Sequence, residues 1–226
     1  MSIEQSTPSP RRTFLGTLAG GAVALGAAPI LASCAAPASQ AAAAPADEEP
    51  WIKPLTGKHK QVFDAPETNQ GFPLIFAMTY LDTMAKAYDL KAGEASAIVI
   101  ARHFGFALGM KDEIWAKYKL GELVKVMDPA TKKPSTRNIY FNAKPGDMMM
   151  TDASAEKMIA RGVVIGVCNV ALLKISEMLA GQMKLKPEDA YNEFKAGVIP
   201  GAHVVPSGVL AVGRAQEKGC SYCFAG

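Results

Sequence analysis

Apolar residues along the chain switch between strand and helix spacing several times, and each switch marks an element. Gln61-Val62-Phe63-Asp64 predicts a short strand. From Asn69-Gln70-Gly71 onward, Leu74, Ile75, Met78, Leu81, Met84, Ala85 and Tyr88 recur at helical spacing as far as Leu90. Ala97-Ile98-Val99-Ile100-Ala101 is a continuous apolar run, expected of a strand buried on both faces. An amphipathic helix is predicted from Lys111 to about Met127, with Gly121 as its breaking point. A proline-rich loop follows from Asp128 to Gly146, and then a helix from about Ala153 to Arg161 capped by Thr151 or Asp152. Val163 to Cys168 is a third strand, passing directly into a helix that carries Val170, Leu172, Leu173, Ile175, Met178 and Leu179 and closes at Gly181. Pro187 opens a helix to about Lys195, Gly201 to Pro206 forms a fourth strand, Val209 to Lys218 a last helix, and Cys220 to Phe224 a closing strand. The alternation predicts a single three-layer α/β domain, with about five strands in a mainly parallel sheet and helices on both faces.

The N-terminal residues do not follow this pattern. Ser9-Pro10-Arg11-Arg12-Thr13-Phe14-Leu15 has the form of a twin-arginine export signal, and the Ala/Gly-rich stretch behind it is too weakly apolar for a membrane span. Leu31-Ala32-Ser33-Cys34 matches a lipobox, which makes Cys34 a lipidation candidate; ordinary cleavage in the alanine tract beyond it is the less favoured alternative. Residues 1–33 are therefore expected to be signal, 34–56 an Ala/Pro-rich tether, and 57–226 the domain, with a loop-and-helix insertion over 109–150. The expected location is periplasmic and lipid-anchored, with the twin-arginine translocase as a transient partner. A formal charge of +3, without a basic block carrying interleaved aromatics, argues against nucleic acid as a partner.

Candidate chemistry gathers at the strand ends, where open α/β sheets bind ligands. Cys168 ends the third strand at a helix N-terminus, a place that favours a thiolate. It is read either as a nucleophile or as a small buried hydrophobe. Arg102 and His103 follow the second strand; Arg102 suits an anion, and His103 proton transfer. Their bland alternatives are a salt bridge and a hydrogen-bonded core histidine. Ser207-Gly208, between the fourth strand and its helix, offers backbone N–H groups to an anion. Cys220 and Cys223 form a CxxC, read first as a structural disulfide, then as a redox pair, then as half of a metal site completed by Cys168 with His103 or His203. No cofactor is required by any motif. A soft metal ion on these thiols and on Met148-Met149-Met150 is an open alternative, with loop packing the favoured reading of the methionines.

The segment Arg161-Gly162-Val163-Val164-Ile165-Gly166-Val167-Cys168-Asn169 resembles the helix–Gly-Val–strand–Cys element of the DsrE/DsrF-like superfamily of sulfur-handling proteins. Arg102-His103-Phe104-Gly105, Val205-Pro206-Ser207-Gly208 and the ending Gly219-Cys220-Ser221-Tyr222-Cys223-Phe224-Ala225-Gly226 resemble an exported branch of it. The resemblance extends over about Lys60 to Phe224 and is strong only around Cys168. It implies a DsrE-like five-stranded fold, a trimer or hexamer of identical chains, and sulfur passed as persulfide through Cys168. By the motif that contains it, Asn169 joins Arg102, Ser207 and Gly208 as a ligand-binding candidate. Two departures qualify the functional part: export removes the cytoplasmic relay partners, and the 109–150 insertion and terminal CxxC are additions.

Overall fold

The structure, a computed structural model, describes residues 49–226. The export signal, the lipidation candidate Cys34 and most of the tether lie outside the described residues. Five strands form one sheet in the order β4-β3-β2-β1-β5, and every pairing is parallel. They are β1 (His59–Ala65), β2 (Ala95–Ala101), β3 (Val164–Cys168), β4 (His203–Val205) and β5 (Ser221–Phe224). The helices are α1 (Phe72–Tyr88), α2 (Asp112–Lys117), α3 (Leu120–Leu123), α4 (Ala155–Ala160), α5 (Asn169–Met183), α6 (Pro187–Ala196) and α7 (Gly208–Glu217). The three-layer α/β architecture and the parallel sheet agree with the sequence reading.

Each face of the sheet carries its own apolar cluster, because successive strand residues point to opposite sides. Phe63, Val99, Ile165 and Val167 face the larger cluster, with Leu74 and Ile75 of α1, Leu172 and Leu179 of α5, and Phe194 of α6. Val62, Ile98, Ile100, Val164 and Val205 face the smaller one, covered by Ala211 and Ala215 of α7. Trp51, Ile52 and Leu55 are buried in that second cluster, so the domain starts earlier than residue 57 and the tether is correspondingly shorter.

The insertion is part of the core. Trp115, Tyr118 and Tyr140 are buried in the larger cluster. The Asn138 amide donates to the carbonyls of Leu108 at 2.9 Å and Met110 at 2.8 Å. The predicted Lys111–Met127 helix is split in two at Lys119, whose φ of 50° is left-handed. Gly121 lies inside α3 and is there for close approach: a Cβ would stand 2.2 Å from the Ser135 carbonyl oxygen. Thr151 and Asp152 do not cap α4; they form a separate 3-10 turn, and α4 begins after Ser154.

Candidate functional site

Strand β3 is buried along its whole length and delivers Cys168 to the carboxyl edge of the sheet. Gly166 allows the close packing there, since a Cβ would meet Ile100 Cδ1 at 2.9 Å and Val205 Cγ1 at 3.0 Å. The chain then turns into α5, and the Cys168 sulfur caps it by accepting the Ala171 N–H at 3.4 Å. A second donor comes from another element: the Gly208 N–H, in the first turn of α7, reaches the same sulfur at 3.1 Å. Two helix N-termini thus converge on one Sγ, and both dipoles place positive potential there. Cys168 is 6% exposed. The burial expected of the bland reading and the donor-lined strand end expected of the reactive one are both present.

Beside the sulfur lies a charged cluster. Arg102 follows β2, and its Nε and Nη2 donate to the two oxygens of Asp64 on β1 at 2.6 and 2.9 Å. The Tyr222 hydroxyl on β5 donates to Asp64 Oδ2 at 2.9 Å. The hydrogen bond to Asp64, ahead of its charge, holds the Arg102 guanidinium above its ordinary pKa; the Cys168 sulfur adds to the effect. The same carboxylate, together with burial, pushes the Tyr222 phenol up, which keeps it a donor. Asp64 and Tyr222 are absent from the sequence candidates. The signal for Asp64 was a lone acid closing an apolar strand run; Tyr222 offered none beyond lying between two cysteines.

The other candidates fall less closely together. His103 is exposed, with a left-handed φ of 47°, and its ring packs against Phe104 with centroids 4.3 Å apart. It is not the buried core histidine of the bland reading. Asn169 accepts a hydrogen bond from the Tyr191 hydroxyl at 2.7 Å, which ties the start of α5 to α6. The anion site expected at Ser207-Gly208 is altered because the Gly208 N–H is committed to the Cys168 sulfur. The Ser207 side chain makes no capping bond.

Cys220 and Cys223 are both free. Cys220 is buried in the smaller cluster, whereas Cys223 packs against the larger one. Three residues of extended chain separate Cα atoms by about 10 Å, and a disulfide spans no more than about 7 Å. The expected disulfide is therefore not formed. A CxxC brings its sulfurs together on a helix; here it borders and enters a strand. Burial pushes both thiols above their ordinary pKa. Among the described residues no group of three or more His, Cys, Asp or Glu converges, so the site imagined from Cys168, a histidine and the CxxC is not assembled.

A cavity of about 660 Å³ opens beside the carboxyl end of β1, between the Glu67–Gln70 turn and the insertion. Met127, Met148 and Met149 line it, while Cys168 and Arg102 do not. Met148 is buried, as the packing reading expects, and Met149 is 74% exposed.

No family model matches the chain, and no curated protein matches it. Among solved structures, the chain is similar to a protein of unknown function from Methanobacterium thermoautotrophicum, at 16% identity and a TM-score of 0.38. The similarity covers 74% of this chain and 98% of the other.

Proposed function

We propose that this chain is an exported, DsrE-like protein that handles thiol or persulfide sulfur through Cys168. The observation that carries the reading is the pair of N–H donors on one strand-end sulfur, from Ala171 and Gly208. Two backbone N–H donors from separate helix starts aim at this one sulfur, and it is a thiolate that attacks or carries sulfane sulfur. Arg102 supplies a neighbouring cation. His103, exposed at the end of the same strand as Arg102, is the proton-transfer candidate of this reading. Anchoring through lipid at Cys34 in the periplasm, and assembly as a trimer or hexamer, belong to the same proposal and rest on the sequence motifs and the resemblance.

A second reading is favoured by one specific observation. Cys168 is 6% exposed, and the 660 Å³ cavity lies apart from it. In that reading the protein is a non-catalytic periplasmic binding module that holds a soft metal ion or small anion at the same strand ends, without turnover. Intact mass of the mature protein, before and after incubation with polysulfide, separates the two. Gain of one sulfur atom mapped to Cys168, and lost in Cys168→Ser, is expected. An unmodified Cys168, or equal loading of the Cys168→Ser variant, rejects sulfur handling; metal retained through purification then selects the binding module.

A further inference from the structure

The reading above leaves two groups of the strand-end cluster unused. Asp64 is 4% exposed, and a buried carboxylate is retained only when its oxygens are satisfied. Here Oδ1 takes Arg102 Nε, and Oδ2 takes both Arg102 Nη2 and the Tyr222 hydroxyl. The bidentate fork fixes the guanidinium plane. On the other side, the Arg102 stem lies flat against α7: a Cβ on Gly208 would stand 2.4 Å from Arg102 Cβ. That same Gly208 donates its N–H to Cys168. A continuous path of contacts therefore runs from Tyr222 through Asp64, Arg102 and Gly208 to the sulfur. Of the three guanidinium nitrogens, Nη1 alone makes no hydrogen bond among the described residues.

We infer that Asp64 and Tyr222 are positioning residues, which hold Arg102 so that its unpaired Nη1 receives the anionic group of a sulfur donor attacked by Cys168. This rests on the reading of Cys168 as the sulfur-handling centre. The donor class is a small anion that already carries sulfane sulfur, such as the tetrasulfide dianion. The Cys168 thiolate attacks its terminal sulfur, a new S–S bond forms to Sγ, and the neighbouring S–S bond breaks. The trisulfide dianion leaves with the electron pair. The step conserves sulfur and charge and needs no separate oxidant.

The sign of one substitution separates positioning from simple charge balance. If Asp64 merely cancels the charge of Arg102, Asp64→Asn strengthens the pull on an anion. If Asp64 positions Arg102, the same change weakens it. Alkylation of Cys168 in the full chain by iodoacetate and by iodoacetamide reads this directly, because the two reagents differ chiefly in charge. The wild-type ratio of iodoacetate to iodoacetamide rates is expected to exceed that of free cysteine. Arg102→Gln and Asp64→Asn are each expected to lower it about tenfold. Tyr222→Phe removes a single hydroxyl from a half-exposed ring, keeps the fold, and is expected to lower the ratio about threefold. Both reagents react with the thiolate, so a change in thiolate fraction cancels in the ratio, and tetrasulfide loading falls in parallel with the ratio. A higher ratio in Asp64→Asn, or an unchanged one in Tyr222→Phe, overturns the positioning roles while leaving a reactive Cys168. A Cys168 inert to both reagents overturns the sulfur-handling reading itself.

Discussion

At the scale of single residues, the three thiols of the described chain occupy three different environments. Cys168 faces N–H donors, whereas burial holds Cys220 and Cys223 protonated above the ordinary thiol range. Cys220 is 6% exposed and Cys223 is half-buried. In the folded protein, iodoacetamide is expected to label Cys223 before Cys220. Both rates should climb steeply only as pH passes the free-thiol value of about 8.5, because a raised pKa leaves less thiolate at neutral pH than in a free thiol. Mild oxidation with diamide should leave no intramolecular Cys220–Cys223 bond; loss of two hydrogens mapped to that peptide would contradict the opposite-face placement. Cys168 and Arg102 stood out because a reactive group directly after an apolar strand is a pattern within one short segment. The Tyr222–Asp64 bond was not legible, since it joins β5 to β1 across 158 positions and exists only once the sheet is assembled. The CxxC misled for a related reason: the same spacing that aligns two sulfurs on a helix separates them on a strand.

At the scale of elements, the insertion shows where local pattern runs out. Its helix was predicted as one piece from apolar spacing, which does not register a left-handed residue such as Lys119. Its loop reads from sequence only as proline-rich, and a single arginine organises it. Arg137 bonds Asp128 at 3.0 Å through Nε and Asp147 at 2.7 and 2.6 Å through Nη1 and Nη2. Backbone N–H groups of Thr131 and Ala130, more than the arginine, hold the Asp128 carboxyl below its ordinary pKa. For Asp147 the Arg137 hydrogen bond is the leading cause of the same shift. Carboxyls depressed in the folded state stabilise it fully above the unfolded value of about 3.9 and lose that contribution as pH falls through their folded values. Urea midpoints are therefore expected to be level from neutral pH to about 5 and to fall below about 4. Arg137→Met leaves the Asp147 carboxylate, 4% exposed, without its main partner. It is expected to cost about 2 kcal/mol at pH 7 and to shrink the acid-dependent loss. A variant as stable as wild type at pH 7, with an unchanged acid limb, would show that the clamp is not what orders the loop. Since that loop walls the 660 Å³ cavity, the same variant should also loosen protection of the Val124–Met127 amides in hydrogen exchange.

At the scale of the whole molecule, the proposed export and lipid anchor carry a prediction of their own. Among the described residues no helix is long and apolar enough to cross a membrane. The sequence offers a different anchor in Leu31-Ala32-Ser33-Cys34, followed by an Ala/Pro-rich stretch that ends where Trp51, Ile52 and Leu55 enter the core. In the lipid-anchored reading proposed above, acyl chains on Cys34 would supply the membrane affinity, at about 0.8 kcal/mol per buried methylene. The mature chain is therefore expected to begin at Cys34, to carry the added mass of lipid, and to sediment with membranes. Cys34→Ala should move it to the soluble fraction, with sulfur loading at Cys168 unchanged, because Cys34 is not among the residues proposed to handle sulfur. A wild-type chain that is soluble and begins further along the alanine tract would instead establish ordinary signal cleavage. The crevice chemistry proposed for Cys168 would then act on freely diffusing donors throughout the compartment rather than at the membrane face.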